Sequence, residues 1–219
     1  MIKCCIFDLD GTLLDTLRTI TYYVNKTFEN EGIAPITLEE CRYFAGSGPR
    51  KLIERALFSK GIDDPERVSD IFKKYRNNYD SAPLYLTAPF DGITEMLDTL
   101  IKNGILVGVV SNKQHESVVP AIESFFGSRF SMVLGSREGV PLKPAPDAFY
   151  IMMKELGVKA DEVCYVGDID IDMQTGKAFG AKKTVGVTWG FRDRAELVEN
   201  GADVIISSPE ELIAEVLSR

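Results

Sequence analysis

The 219-residue sequence predicts an α/β fold: a doubly wound parallel sheet with a helical cap domain inserted after the first strand. Three observations predict it. From about Pro89 to the C-terminus, short runs rich in β-branched residues alternate with helical periodicities. The runs are apolar throughout, as strands buried on both faces are. Residues 15–83 interrupt the alternation with helical patterns only.

In chain order, strands are predicted at residues 2–7, 105–110, 132–134, 163–166, 184–187 and 204–206. The helical segment shows three stripes: Leu17, Ile20, Val24 and Phe28; Leu52, Ile53, Ala56 and Leu57; Val68, Ile71, Phe72, Tyr75 and Tyr79. Among the later strands, helices are expected around Ile93–Met96–Leu97–Leu100, Val118–Ile122–Phe126 and Phe149–Met152–Leu156, the last stopped by Gly157. Residues 1–14 and 84–219 are thus assigned to the core domain and 15–83 to the cap. A cap that starts just past the first strand is expected above that strand's carboxyl end, where open α/β sheets bind ligands. A helical layer packed for stability alone is the alternative.

With 45% hydrophobic residues the chain can bury a substantial core, while its net charge of −8 disfavours nucleic-acid and anionic-membrane partners. No run approaches the ~18 apolar residues of a membrane span, and the N-terminus reads as a strand rather than a basic leader. A cytoplasmic location and a monomer are expected, with a dimer allowed. Cys4, Cys5, Cys41 and Cys164 show no CxxC spacing and are read as reduced structural thiols. His115 is the single histidine, so histidine-based zinc sites and Ser-His-Asp triads are hard to assemble. Hydrolytic chemistry must rest on carboxylates and lysine.

The densest chemical signal is Phe7-Asp8-Leu9-Asp10-Gly11-Thr12, where an apolar strand ends in two carboxylates two residues apart. Strand alternation would point both the same way, and their repulsion calls for a cation or a shared proton. Gly11 permits a tight turn and can offer an N–H to an anion. A plain Asp-x-Asp-Gly turn is the other reading. A second acidic group, Gly167-Asp168-Ile169-Asp170-Ile171-Asp172, follows another strand. If the two strands are neighbours, Asp8, Asp10, Asp168 and Asp172 converge on an oxygen-rich pocket suited to Mg²⁺, with Asp170 turned away. Ser111 and Asn112 close the strand at 105–110, where a hydroxyl can donate to a phosphoryl oxygen or simply cap a helix. Lys143 lies among Pro141, Pro144 and Pro146, which fix where its charge points. Trp189 and Phe191 read as packing residues.

Asp8-x-Asp10-Gly11-Thr12, Ser111-Asn112, Lys143-Pro144 and Gly167-Asp168-x-x-x-Asp172, in that order, resemble the four motifs of the haloacid dehalogenase (HAD) superfamily. The cap, with Phe44-Ala45-Gly46-Ser47-Gly48-Pro49-Arg50, looks like that of the phosphoglycolate phosphatase-like branch. The resemblance implies a Rossmann-like core with a mobile lid and a phosphatase of small phosphorylated metabolites. It makes Asp8 the nucleophile and Asp10 the acid/base, with Mg²⁺ on Asp8, the Asp10 carbonyl and Asp168, and Asp172 in support. Gly11, Thr12, Ser111, Asn112 and Lys143 become phosphate-binding, and Ser47 and Arg50 candidates for substrate specificity. A phosphosugar mutase of the β-phosphoglucomutase type shares these motifs; a non-catalytic binding module would have no need of Asp10.

Overall fold

The computed structural model describes residues 1–218. The strands are β1 (Cys4–Phe7), β2 (Leu14–Asp15), β3 (Ala88–Pro89), β4 (Leu106–Gln114), β5 (Met132–Ser136), β6 (Val163–Gly167), β7 (Lys183–Val187) and β8 (Val204–Ile206). Six of them form one sheet in the order β5-β4-β1-β6-β7-β8, and every neighbouring pair is parallel. Its six strands are those the sequence predicts. β1 is central because all four of its residues are apolar and fully buried, which only a strand covered on both faces allows. The chain runs outward from β1 to β4 and β5, then crosses to β6 on the other side, so the order reverses at β1. Ligands of open α/β sheets bind at such a reversal, beyond the carboxyl ends of the strands.

The helices of the α/β unit are α5 (Ile93–Lys102), α6 (His115–Phe126), α7 (Asp147–Leu156), α8 (Asp170–Phe179), α9 (Arg194–Glu199) and α10 (Pro209–Leu217). α7 ends at Gly157, as its pattern predicts. β4 runs on to Gln114, which caps α6, so Ser111 and Asn112 are strand residues and Ser111 is not a helix cap. Under β1 and β6, Phe149 stacks on Phe179 at 4.5 Å and meets Tyr165 edge-on at 4.7 Å. Tyr165 is therefore a core residue by its ring; its hydroxyl belongs to the site described below.

The chain divides into two compact units, Met1–Asp15 with Pro89–Arg219 and Thr16–Ala88. The second unit consists of α1 (Leu17–Asn30), α2 (Leu38–Phe44), α3 (Pro49–Phe58) and α4 (Pro65–Ser81). Its core is built from the predicted stripes: Val24, Phe28, Ile53, Leu57 and Ile71 are fully buried. It extends to Ala88 rather than Pro83 because the segment after α4 is tied to α1. Tyr23 donates its hydroxyl to Ala82 O at 2.8 Å, and Thr19 bonds Tyr85 O at 2.5 Å and Thr87 Oγ1 at 2.8 Å. All four cysteines are free and buried. Among the described residues no helix is long and apolar enough to cross a membrane.

Candidate active site

Asp8 follows β1 and Asp168 follows β6; the two strands are paired, and Asp8 N–H donates to Val166 O at 2.9 Å. Adjacent strand ends thus bring the two acidic motifs together. Asp172 joins them from the first turn of α8, with Oδ2 accepting from the N–H groups of Asp168 and Ile169 at 3.1 and 3.2 Å. Carboxylate oxygens of Asp8, Asp168 and Asp172 lie within 4.8 Å of one another, and all three residues are buried. Lys143 Nζ lies 2.8 Å from Asp8 Oδ1 and 2.8 Å from Asp172 Oδ1, while the Tyr165 hydroxyl donates to Asp172 Oδ1 at 2.7 Å.

Several residues expected to touch phosphate also bond to this cluster or to the backbone beside it. Thr12 donates its hydroxyl to Asp168 Oδ1 at 2.8 Å, and the Gly11 N–H is occupied by Leu14 O at 2.9 Å. The Asn112 side chain donates to Lys143 O at 3.2 Å and accepts from Lys143 N–H at 2.8 Å, so it fixes the backbone that aims the lysine. Ser111 is buried beside it at the end of β4, accepting from Lys113 N–H at 3.2 Å. Residues read as packing groups also take part. Phe191 N–H donates to Asp168 Oδ2 at 2.9 Å, and the Trp189 indole donates to Thr12 O at 3.0 Å. Side-chain type could not announce the first of these, since the donor is backbone.

Glycine is required twice around Asp168. At Gly11 φ is +89° and a Cβ would sit 2.1 Å from Asp168 Oδ2; at Gly190 it would sit 2.4 Å from the same oxygen. Gly190→Ala therefore displaces the Asp168 carboxylate without replacing any charged residue. If the acidic trio holds a divalent cation, this substitution should weaken activation by that cation by about 10- to 100-fold, as changes around metal ligands do. Titrating turnover against Mg²⁺ checks this, and unchanged half-activation sinks it.

The Asp10 carboxylate does not join the trio, contrary to what strand alternation predicts. β1 ends at Phe7, and the turn beyond it sends Asp10 Oδ1 to Lys113 Nζ, 2.8 Å away. Asp170 is half-buried at the start of α8, outside the cluster. In the helical unit, Arg50 donates to Glu54 Oε1 at 3.1 Å and lies 5.7 Å from the Phe72 ring centroid. Ser47 accepts from Arg55 Nη2 at 3.0 Å.

Three buried carboxylates cluster around one buried ammonium that pairs with two of them, Asp8 and Asp172, so acidic groups outnumber basic ones. Burial pushes the Asp8 carboxyl up to about 7; Lys143 opposes the rise, while Asp172 and Asp10 add to it. Asp168 is raised well above the ordinary range, first by burial and then by Asp172 and Asp8. Burial would lower Lys143, but Asp172 and Asp8 outweigh it and the ammonium is held above its ordinary value. Asp8 Oδ1, although at ion-pair distance from Lys143, is buried and accepts no hydrogen bond of good geometry. A divalent cation fits this set: the donors are all oxygen, one lacks a partner, and the excess charge needs compensation.

The sign of the resulting pH dependence is fixed. Between about pH 4 and 7 the unfolded chain has lost a proton that folded Asp8 retains, so metal-free stability is full below that window and falls as pH rises through it; the raised Asp168 carboxyl acts in the same direction. With chelator, the melting temperature should drop by roughly 5 °C or more between pH 5 and 8, and Mg²⁺ should stabilise more at pH 8. A chelated protein equally stable at both pH values contradicts this.

Beyond the central strands of this parallel α/β sheet, buried carboxylates surround a buried lysine, an oxygen-rich site able to hold a cation and an anion side by side. The chain belongs to the haloacid dehalogenase-like hydrolase family, whose sequence profile matches residues 5–187. It is 31% identical over 220 residues to the N-acetylmuramic acid 6-phosphate phosphatase of Pseudomonas aeruginosa, covering all of this chain and 96% of that protein. To the phosphoglycolate phosphatase of Pseudomonas fluorescens it is 29% identical over 216 residues, 96% of this chain and 78% of that one. A crystal structure of a candidate phosphoglycolate phosphatase from Lactobacillus delbrueckii subsp. bulgaricus superposes with a TM-score of 0.95 at 32% identity, covering 99% of each chain. The chain is a phosphatase of this family.

Proposed function

We propose that the chain hydrolyses small phosphorylated metabolites in a Mg²⁺-dependent reaction that passes through an aspartyl-phosphate on Asp8. The observation that carries this reading is the separation of the two motif carboxylates. Asp8 lies buried against Lys143 within the acidic trio, while Asp10 is partly exposed on Lys113. Two carboxylates in different environments suit two different roles.

Asp8 attacks phosphorus as its bond to the leaving oxygen breaks, and Asp10 gives that oxygen a proton. In the second half, Asp10 takes a proton from water, whose oxygen bonds to phosphorus and releases Asp8. Lys143 draws the charge of the phosphoryl group toward Asp8, and Ser111, at the adjoining strand end, is placed to donate to it. Asp8, the Asp10 carbonyl and Asp168 would hold Mg²⁺, with Asp172 in support. When bound, the ion offsets the repulsion between carboxylate and phosphate dianion. Thr12 and Phe191 orient Asp168, and Asn112 and Tyr165 orient Lys143 and Asp172.

The test is phosphate release from a panel containing phosphoglycolate, N-acetylmuramic acid 6-phosphate, pyrophosphate and sugar phosphates, with Mg²⁺ and with chelator. Metal-dependent release supports the proposal. Conversion of a sugar phosphate into its positional isomer, with no free phosphate, would replace it with the mutase reading.

A further inference from the structure

Lys113 enters the site from a position that no motif announced. It follows Ser111-Asn112 at the carboxyl end of β4, where pairing with β5 holds through Val110↔Leu134 and then shifts register before Gln114↔Ser136. Irregularities of this kind re-aim side chains next to functional sites. Here the lysine reaches Asp10, 103 positions earlier in the chain, at 2.8 Å, with both side chains mostly buried at 12% and 19% exposure.

Each motif carboxylate thus has its own lysine, but in a different geometry. Lys143 is shared between Asp8 and Asp172 inside the acidic cluster. Lys113 donates to Oδ1 of Asp10 at 2.8 Å, so this contact takes one of the two carboxylate oxygens. A carboxylate gripped by one oxygen loses its freedom to turn and presents the other oxygen in a set direction. The pair links the ends of two adjacent parallel strands that β-ladder bonds already hold, so its effect on the fold is small beside its effect on where Asp10 points.

The geometry points to Lys113 as the positioning residue for the general acid: it holds Asp10 by Oδ1 so that Oδ2 delivers the proton to the leaving oxygen. This rests on Asp10 being the acid, as argued above. In the step concerned, the phosphorus–oxygen bond breaks, its electron pair stays on the leaving oxygen, and the Asp10 proton goes to that oxygen. Lys113 keeps all its protons and its place on Oδ1.

Such a residue has a signature that a merely structural lysine lacks. General-acid help matters in proportion to the basicity of the leaving group, so an alkoxide depends on it and a nitrophenolate does not. Lys113→Met should lower kcat/KM, which reports the steps through departure of the leaving group, by about 10- to 100-fold for the best alkyl phosphate from the panel, the scale of a misplaced catalytic group. For p-nitrophenyl phosphate kcat/KM should fall by less than about threefold, and Lys113→Arg should recover most of the alkyl-ester value. In an Asp10→Asn background, Lys113→Met should cost nothing more on the alkyl ester, because groups that act as a unit are not additive. Equal losses on both esters, or a further loss in the Asp10→Asn background, overturn the assignment. If Asp10→Asn alone lowers kcat/KM equally for both esters, Asp10 is not the acid, and this assignment falls with it while metal-dependent phosphate release still stands. Should Lys113→Met fail to fold, Lys113→Gln carries the same comparison.

Discussion

Asp8→Asn should abolish phosphate release, by about 10⁴-fold or more, because removing the proposed nucleophile costs nearly the whole acceleration that depends on it. The amide keeps the shape of the carboxylate but is a far poorer attacking group. What makes the result diagnostic is that the fold should not suffer. Asp8 is a buried acid whose carboxyl is pushed up to about 7, chiefly by desolvation, with Asp172 among the further causes. A neutral side chain there relieves repulsion within the trio, and Lys143 keeps Asp172 at 2.8 Å. In chelator at pH 8, the variant should therefore melt no lower than the parent. Phosphate release measured beside a melting curve checks both halves. A well-folded variant retaining more than a few per cent of parental turnover would move the nucleophile elsewhere.

Lys143→Met should damage stability and activity together. The ammonium is the one buried cation between Asp8 and Asp172, and the Tyr165 hydroxyl is bonded to the same Asp172 oxygen. Removing one partner of a buried ion pair leaves the other charge uncompensated, at a cost of about 3–5 kcal/mol. For a chain of this size, that corresponds to a melting temperature lower by roughly 6–20 °C. The loss should be largest above about pH 7, where Asp8 is ionised, and smaller at pH 5, where it holds a proton. Adding Asp172→Asn should restore part of the stability by removing one stranded charge, yet none of the turnover, since the phosphoryl group still lacks its lysine. A Lys143→Met protein as stable as the parent at pH 8 would show that the trio is neutralised by other means.

Much of this was legible in the residues. β1 could be placed because its four residues are apolar and lead into Asp8, and β6 because an equally buried run leads into Asp168. The helical stripes identified the second unit, and Gly157 the end of α7. Reading side-chain direction from strand alternation failed at Asp10, because the strand ends at Phe7 and the turn after it follows no period of two. Residue type did not announce that Thr12 bonds to Asp168 and Asn112 to the backbone of Lys143. It was silent on Phe191, which acts through its backbone, and on Gly190, which matters for the carboxylate packed against it.

The sequence by itself determined the fold class, the division into a sheet unit and a helical unit, and the acids and lysine from which a site could be made. These follow from local patterns, since burial on both faces, helical period and strand-end carboxylates are all written within a few residues. Only the tertiary structure decided which carboxylate each lysine meets and which glycines leave room for Asp168. Lys113 and Asp10 stand 103 residues apart and Thr12 and Asp168 stand 156 apart, so these contacts exist only once the parallel strands have paired. A pairing set by strand register and by one irregularity in β4 leaves no short-range trace for a motif to carry.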